Sequence, residues 1–177
     1  MSIRISLADL TYTNQGIPSV CLPLGAALVA SYAKKKLGDK IEYELFKYPH
    51  DLKSYVENKK PKLVCFTNYS WTFDISYQFS KKIKEKFPDT IVVFGGPNYP
   101  NEASTQKEFL LSYPAIDFHI KGEGETAFVE LFENLEKFDF DVNAFKKNKI
   151  KSGNCHYVFE KKLIEGEVLP RIGNLDE

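Results

Sequence analysis

The chain is 177 residues long, enough for one domain of ordinary size with a real hydrophobic core and no need of disulfide or metal staples. Its 24 basic and 24 acidic residues cancel, which removes the general electrostatic argument for nucleic-acid or anionic-membrane binding. Three cysteines, Cys21, Cys65 and Cys155, are odd in number and far apart, and the longest apolar run, residues 20–30, contains Pro23 and falls short of the roughly 20 residues of a membrane span. The expected setting is the cytoplasm, with no signal peptide and no membrane partner.

Residues 3–8 (IRISLA) predict a first strand, and Asp9 opens a long turn over residues 10–21 carrying Thr11, Tyr12, Thr13, Asn14, Gln15, Gly16 and Pro18. That is longer than the about two to six residues usual between strand and helix, and the surplus reads as binding surface. The next helix begins near Pro23, which suits a first helical turn, and ends at Gly38 after Lys34-Lys35-Lys36. Leu24, Ala27, Leu28, Ser31 and Tyr32 recur at helical spacing and are expected to face the core. Residues 41–46 predict a second strand whose interleaved polar residues suit a sheet edge. Residues 51–58 follow as a short helix capped by Asp51, closed by Pro61.

Residues 60–97 form the clearest unit: an apolar strand (63–67), a polar and aromatic turn (68–72), an amphipathic helix (73–87) and a second apolar strand (91–94) ending on Gly95-Gly96-Pro97. Strands of this kind are buried on both faces, and a crossover helix between them implies parallel pairing. Ligands of open parallel sheets sit beyond the carboxyl ends of the strands, where the 68–72 turn and the glycine pair both fall. In the helix, Ile75, Phe79, Ile83 and Phe87 share a stripe, and Lys81, Lys82, Lys84 and Lys86 are expected on a solvated face.

A helix over 103–112, a fifth strand over 116–120 and a helix over 126–138 burying Phe128, Leu131, Phe132 and Leu135 complete the alternation. The fold class is therefore α/β, a doubly wound five-stranded parallel sheet of flavodoxin-like order 2-1-3-4-5. Residues 1–138 are expected to form this domain. Residues 139–177 are expected to form a polar stretch, a small ribbon around 150–159 with a further turn and strand over 160–167, and a linker toward a domain missing from this chain.

Three loops carry candidate ligand chemistry. Thr67, Tyr69, Ser70 and Trp71 mix hydroxyls with broad apolar faces suited to a large, partly flat ligand, while an inward Tyr69 and Trp71 would serve only packing. Gly95, Gly96 and Pro97 let a ligand approach the backbone, or simply make a turn. Gly122, Glu123, Gly124 and Glu125 could offer backbone amides at a helix start, although two glutamates would repel a phosphate. Asp9 is either a ligand contact or a turn cap.

Missing motifs discriminate further. No Gly-x-Gly-x-x-Gly follows the first strand, and there is no Gly-x-x-x-x-Gly-Lys-Ser/Thr and no Gly-x-Ser-x-Gly elbow. His50, His119 and His156 have no Cys or His at ligand spacing, and His119 reads as structural. No catalytic residue and no metal ligand is assigned.

Pro23-Leu24-Gly25 opening the first helix, the strand and turn CFTNYSW, the helix end KFPDT, the strand VVFGGP, and Asp117 followed by KGEGETAF resemble, in that order, the N-terminal cobalamin-binding domain of cobalamin-dependent radical S-adenosylmethionine enzymes. The likeness covers about residues 3–135. It implies a corrinoid held base-off at the carboxyl edge of the sheet, its nucleotide tail toward the glycine-bearing loops, by Thr67, Tyr69, Ser70, Trp71, Gly95, Gly96, Pro97, Gly122, Glu123, Gly124 and Glu125. The 10–21 turn would lie against its lower face. The Asp-x-His-x-x-Gly motif that places histidine on cobalt is absent, since Asp9 is followed by Leu10 and Thr11, and no Cys-x-x-x-Cys-x-x-Cys is available for an iron–sulfur cluster. S-adenosylmethionine, the cluster and methyl-transfer chemistry would thus come only through a catalytic domain of the same full-length protein. The competing expectations are a cofactor-free docking or dimerisation module with Trp71 and Tyr69 in a filled edge, and a flavin or nucleotide binder on the same fold.

Overall fold

Apolar alternation dictates the sheet. In the computed structural model, which describes residues 2–13 and 22–173, β1 (Ile3–Ala8) lies between β2 (Ile41–Phe46) and β3 (Leu63–Thr67), and β4 (Ile91–Gly95) and β5 (Phe118–Ile120) continue the sheet, all parallel. The order 2-1-3-4-5 is the expected one, with β2 at the edge. Ile5 aligns with Leu63 and Leu63 with Ile91, so one residue in two along each strand faces the same core.

The sheet departs from the expected five strands. β6 (Cys155–Phe159) pairs antiparallel with β5, and β7 (Lys162–Glu165) antiparallel with β6, so the ribbon extends the same sheet to seven strands among the described residues. A helix, α6 (Val142–Lys147), lies in the stretch read as merely polar; Asp141 caps it through the amides of Asn143 and Ala144, and Phe145 is fully buried.

Two cores flank the sheet. One packs α1 (Leu24–Leu37) and α5 (Glu125–Glu136) on Leu7, Val93, Phe118 and Tyr157; the other packs α2 (Pro49–Lys59), α3 (Phe73–Lys86) and α4 (Ala103–Ser112) on Val64, Phe66, Val92 and Phe94. The buried residues of α5 include all four expected ones. In α1 the expected stripe is wrong: Ala26, Ala30, Ala33 and Leu37 face inward and Leu24 is exposed, because small side chains let this helix lie close to α5. In α3 the buried face is Phe73, Ser76, Ser80 and Ile83, leaving Ile75, Phe79 and Phe87 only half-buried. Asp51 does not cap α2, whose N-cap Tyr48 makes no side-chain bond and whose first turn starts on Pro49. Lys84 also leaves the solvated set: its ammonium meets Asp117 Oδ2 at 2.5 Å, and that carboxylate accepts the Val92 amide as well. No helix among the described residues is long and apolar enough to cross a membrane.

Candidate functional site

At the carboxyl edge of the sheet, between β1, β3 and β4 below and the first turns of α1 and α5 above, lies a cavity of about 400 Å³. Its floor is apolar, built from Leu7, Ala8, Phe66, Val93, Phe94 and Ile120, with Phe128 beside them. The volume falls within the roughly 300–1,000 Å³ typical of small-molecule sites, and an apolar lining with few polar groups is their usual character.

Small residues keep the cavity open. A side chain built on Gly25 or on Gly122 would meet nothing within 4 Å, so both positions face free space. Gly122 has φ +78, a left-handed conformation that glycine adopts without strain. Gly96 is glycine for another reason: at φ +136, its Cβ would stand 2.8 Å from the Asn68 carbonyl oxygen. Backbone crossing therefore demands Gly96, whereas the sequence pattern alone invited a ligand.

The α5 helix starts at the cavity wall, with Gly124 as its N-cap and Glu125 in its first turn, so orphan amides of that turn are directed to this end of the sheet. Glu123 does not confront the cavity as a free charge, because its carboxylate accepts Arg171 Nε at 2.9 Å and the Ile172 amide at 3.0 Å. This clasps residues 171–172 against the 122–125 loop. Asp9, placed at the end of β1, accepts the Thr67 hydroxyl at 2.5 Å and so ties two strand ends together. Cys65, on the lining, has its thiol pushed well above the ordinary range by desolvation, which leaves it protonated and a weak nucleophile.

The predicted residues Thr67, Tyr69, Gly95, Gly96, Pro97, Gly122, Glu123, Gly124 and Glu125 all converge on this cavity. Ser70 and Trp71 lie outside its lining; both are exposed, Trp71 by 67%, and its ring stacks on Tyr69 at 4.8 Å. The filled-edge expectation, with Trp71 and Tyr69 in the core, is therefore not met. Of the 10–21 turn, residues 14–21 lie outside the described residues, and Leu10 is buried in the α2–α4 core. Sequence reasoning missed Gly25, Ala26 and Val29, the α1 wall; the signal was the small pair Gly25-Ala26 that follows Pro23-Leu24. No histidine lines the cavity, and no group of His, Cys, Asp or Glu able to hold a metal occurs among the described residues.

A family model described as the B12 binding domain matches residues 14–132. The chain belongs to the B12-binding domain family. Two curated relatives are each 32% identical over 115 residues: the cobalamin-dependent radical SAM methyltransferase TokK of Streptomyces tokunonensis and the 2-(S-pantetheinyl)-carbapenam-3-carboxylate methyltransferase of Streptantibioticus cattleyicolor. The match takes in 62% of this chain and 16% of each relative. Among solved structures, the cobalamin-dependent S-adenosylmethionine radical enzyme OxsB with aqua-cobalamin and S-adenosylmethionine bound superposes with a TM-score of 0.69 at 14% identity, over 96% of this chain and 23% of that one; its form with aqua-cobalamin alone gives 0.67. That likeness is one of fold. The expected resemblance to the cobalamin domains of these radical enzymes is borne out.

Proposed function

We propose that this chain is the corrinoid-binding part of a methyltransferase-like, cobalamin-dependent radical S-adenosylmethionine enzyme. In this reading it holds cobalamin base-off and without a histidine ligand, with the nucleotide tail in the 400 Å³ cavity. The observation that carries the reading is that cavity, kept empty of side chains at Gly25 and Gly122 and floored by apolar residues. It is too small for the whole corrinoid and suited to its displaced tail. The macrocycle would lie over the mouth, beside the exposed Trp71 ring stacked on the half-buried Tyr69.

The donor set fits the group. Amides at the start of α5 suit the anionic phosphate of the tail and Glu123 is paired with Arg171, while the Glu125 carboxylate, also on the lining, opposes a phosphate there. When bound, the cofactor supplies the methyl-carrying chemistry, and the chain supplies binding, orientation and exclusion of water. S-adenosylmethionine and an iron–sulfur cluster enter only through a catalytic domain of the full-length protein, since Cys21, Cys65 and Cys155 cannot furnish a cluster triplet.

Titration of the chain with hydroxocobalamin and methylcobalamin tests the proposal, beside a Gly25→Phe variant that projects a ring into the cavity. Saturable binding with a base-off visible spectrum is expected, weakened at least tenfold in the variant at unchanged melting temperature. A folded chain that does not bind at high micromolar cofactor, or a variant that binds as the parent does, would overturn it.

A further inference from the structure

Asn68 follows β3 directly and is fully buried, yet it does not line the cavity. Every hydrogen-bonding site it owns is committed. Its amide donates to the Gly95 carbonyl at 2.7 Å and its carbonyl accepts the Asn98 amide at 3.0 Å. Its side-chain Nδ2 donates to the Asn98 carbonyl at 2.6 Å, and its Oδ1 accepts from Asn98 Nδ2 at 3.0 Å. The remaining Nδ2 proton points to His119 Nε2 at 3.1 Å. A backbone carbonyl can only accept, so the group facing Asn98 must be the amide nitrogen. His119 Nε2 therefore also accepts, and the imidazole is neutral with its proton on Nδ1. Burial first, and the neighbouring His156 second, lower the His119 pKa to about 3, which keeps the ring neutral, while its buried Nδ1 has no hydrogen-bond partner.

The chain of contacts continues away from the rim. The Tyr99 ring stacks on His119 at 3.8 Å with 10° between planes, and the Tyr99 hydroxyl lies 3.3 Å from His156 Nδ1 on β6. Residues 95–98, which supply Gly95, Gly96 and Pro97 to the cavity, are thus held from beneath by side chains outside it. The Gly96 conformation is part of the same device, since only an absent Cβ lets this loop cross the Asn68 backbone. A buried amide satisfied at every site fixes one arrangement of its neighbours, because in a low-dielectric setting each alternative strands a polar group.

We infer that Asn68, backed by His119, is a positioning residue that sets the 95–98 rim for the cofactor without touching it. The inference rests on the cavity being the cobalamin site. Its test compares Asn68→Ala, His119→Phe and, as a control for general destabilisation, Val56→Ala, buried in α2. The first readout is hydrogen exchange at the amides of Gly95, Gly96 and Asn98 in the cofactor-free chain. The second is hydroxocobalamin affinity at a temperature where all the variants are folded. Asn68→Ala should lose protection at Asn98 and at least tenfold in affinity. His119→Phe, which keeps a ring to stack on Tyr99 but removes the acceptor, should lose roughly three- to tenfold, and Val56→Ala should bind as the parent does. If Asn68→Ala does not fold, His119→Phe alone decides the matter against the control. Variants that bind within twofold of a binding parent, or a control that loses as much as they do, would overturn this inference alone. A parent that does not bind overturns the cofactor reading and this role with it.

Discussion

The two sides of the sheet meet the same carboxyl edge with opposite side-chain volumes. On the α1 and α5 side stand Gly25, Ala26 and Gly124, and the space between sheet and helices is left as a cavity. On the α3 and α4 side, Phe73 touches the rings of Phe94, Phe109 and Tyr113 at centroid distances of 6.0, 5.5 and 4.7 Å, and Tyr99 adds its ring to Phe109 at 5.4 Å. Backbone layering is alike on both sides, so the choice between binding edge and sealed edge is made by residue volume. Site-forming capacity in this fold is thus a local property, written in a few small residues.

Three outcomes would break or sharpen that contrast. The largest concerns acid, on the sealed side. His119 is neutral when folded, with its pKa lowered from 6.5 to about 3, so the unfolded chain binds the extra proton first and stability falls as pH drops from 6.5 toward 3, with no such loss above 6.5. The full span corresponds to an upper limit of roughly 5 kcal/mol. His156, also lowered by burial, acts in the same direction. Urea denaturation across pH 3–7 should show this slope, and His119→Phe should flatten much of it; an unchanged slope would mean that the sealed side is wetter than its packing implies. Next in size, Phe73→Ala should cost about 3–5 kcal/mol, the usual penalty for emptying a buried aromatic site, read from the denaturation midpoint. Smallest is Gly25→Ala on the open side, expected to stabilise by about 0.5–1 kcal/mol because helical glycine is entropically costly and the new methyl meets no atom. A destabilised Gly25→Ala would mean that the open side is not open.

Much of this was legible in the chain because strand runs such as 63–66 and 91–94 are apolar at every position, as strands of a doubly covered parallel sheet are. The order of strands, the α5 core residues and the three loops at one edge follow from that alternation. What escaped was carried by residues with weak signals. The buried face of α1 is alanine, which contributes little to a hydrophobic stripe, so Leu24 and Leu28 outweighed it. Lys84 looked solvated because its partner Asp117 lies 33 residues on, beyond any local spacing rule. Asn68 read as a turn residue, since nothing local distinguishes an exposed asparagine from one that spends every donor on a distant loop. The joining of β6 to β5 was hidden because an antiparallel addition leaves no crossover helix in the sequence.

The approach of α5 to α1 depends on one missing side chain. A Cβ on Gly124 would stand 2.9 Å from Val29 Cγ2, closer than side chains permit, so α5 can begin this near α1 only with glycine at 124. A larger residue at 124 would act as a wedge, widening the cleft while leaving the strands beneath it where they are.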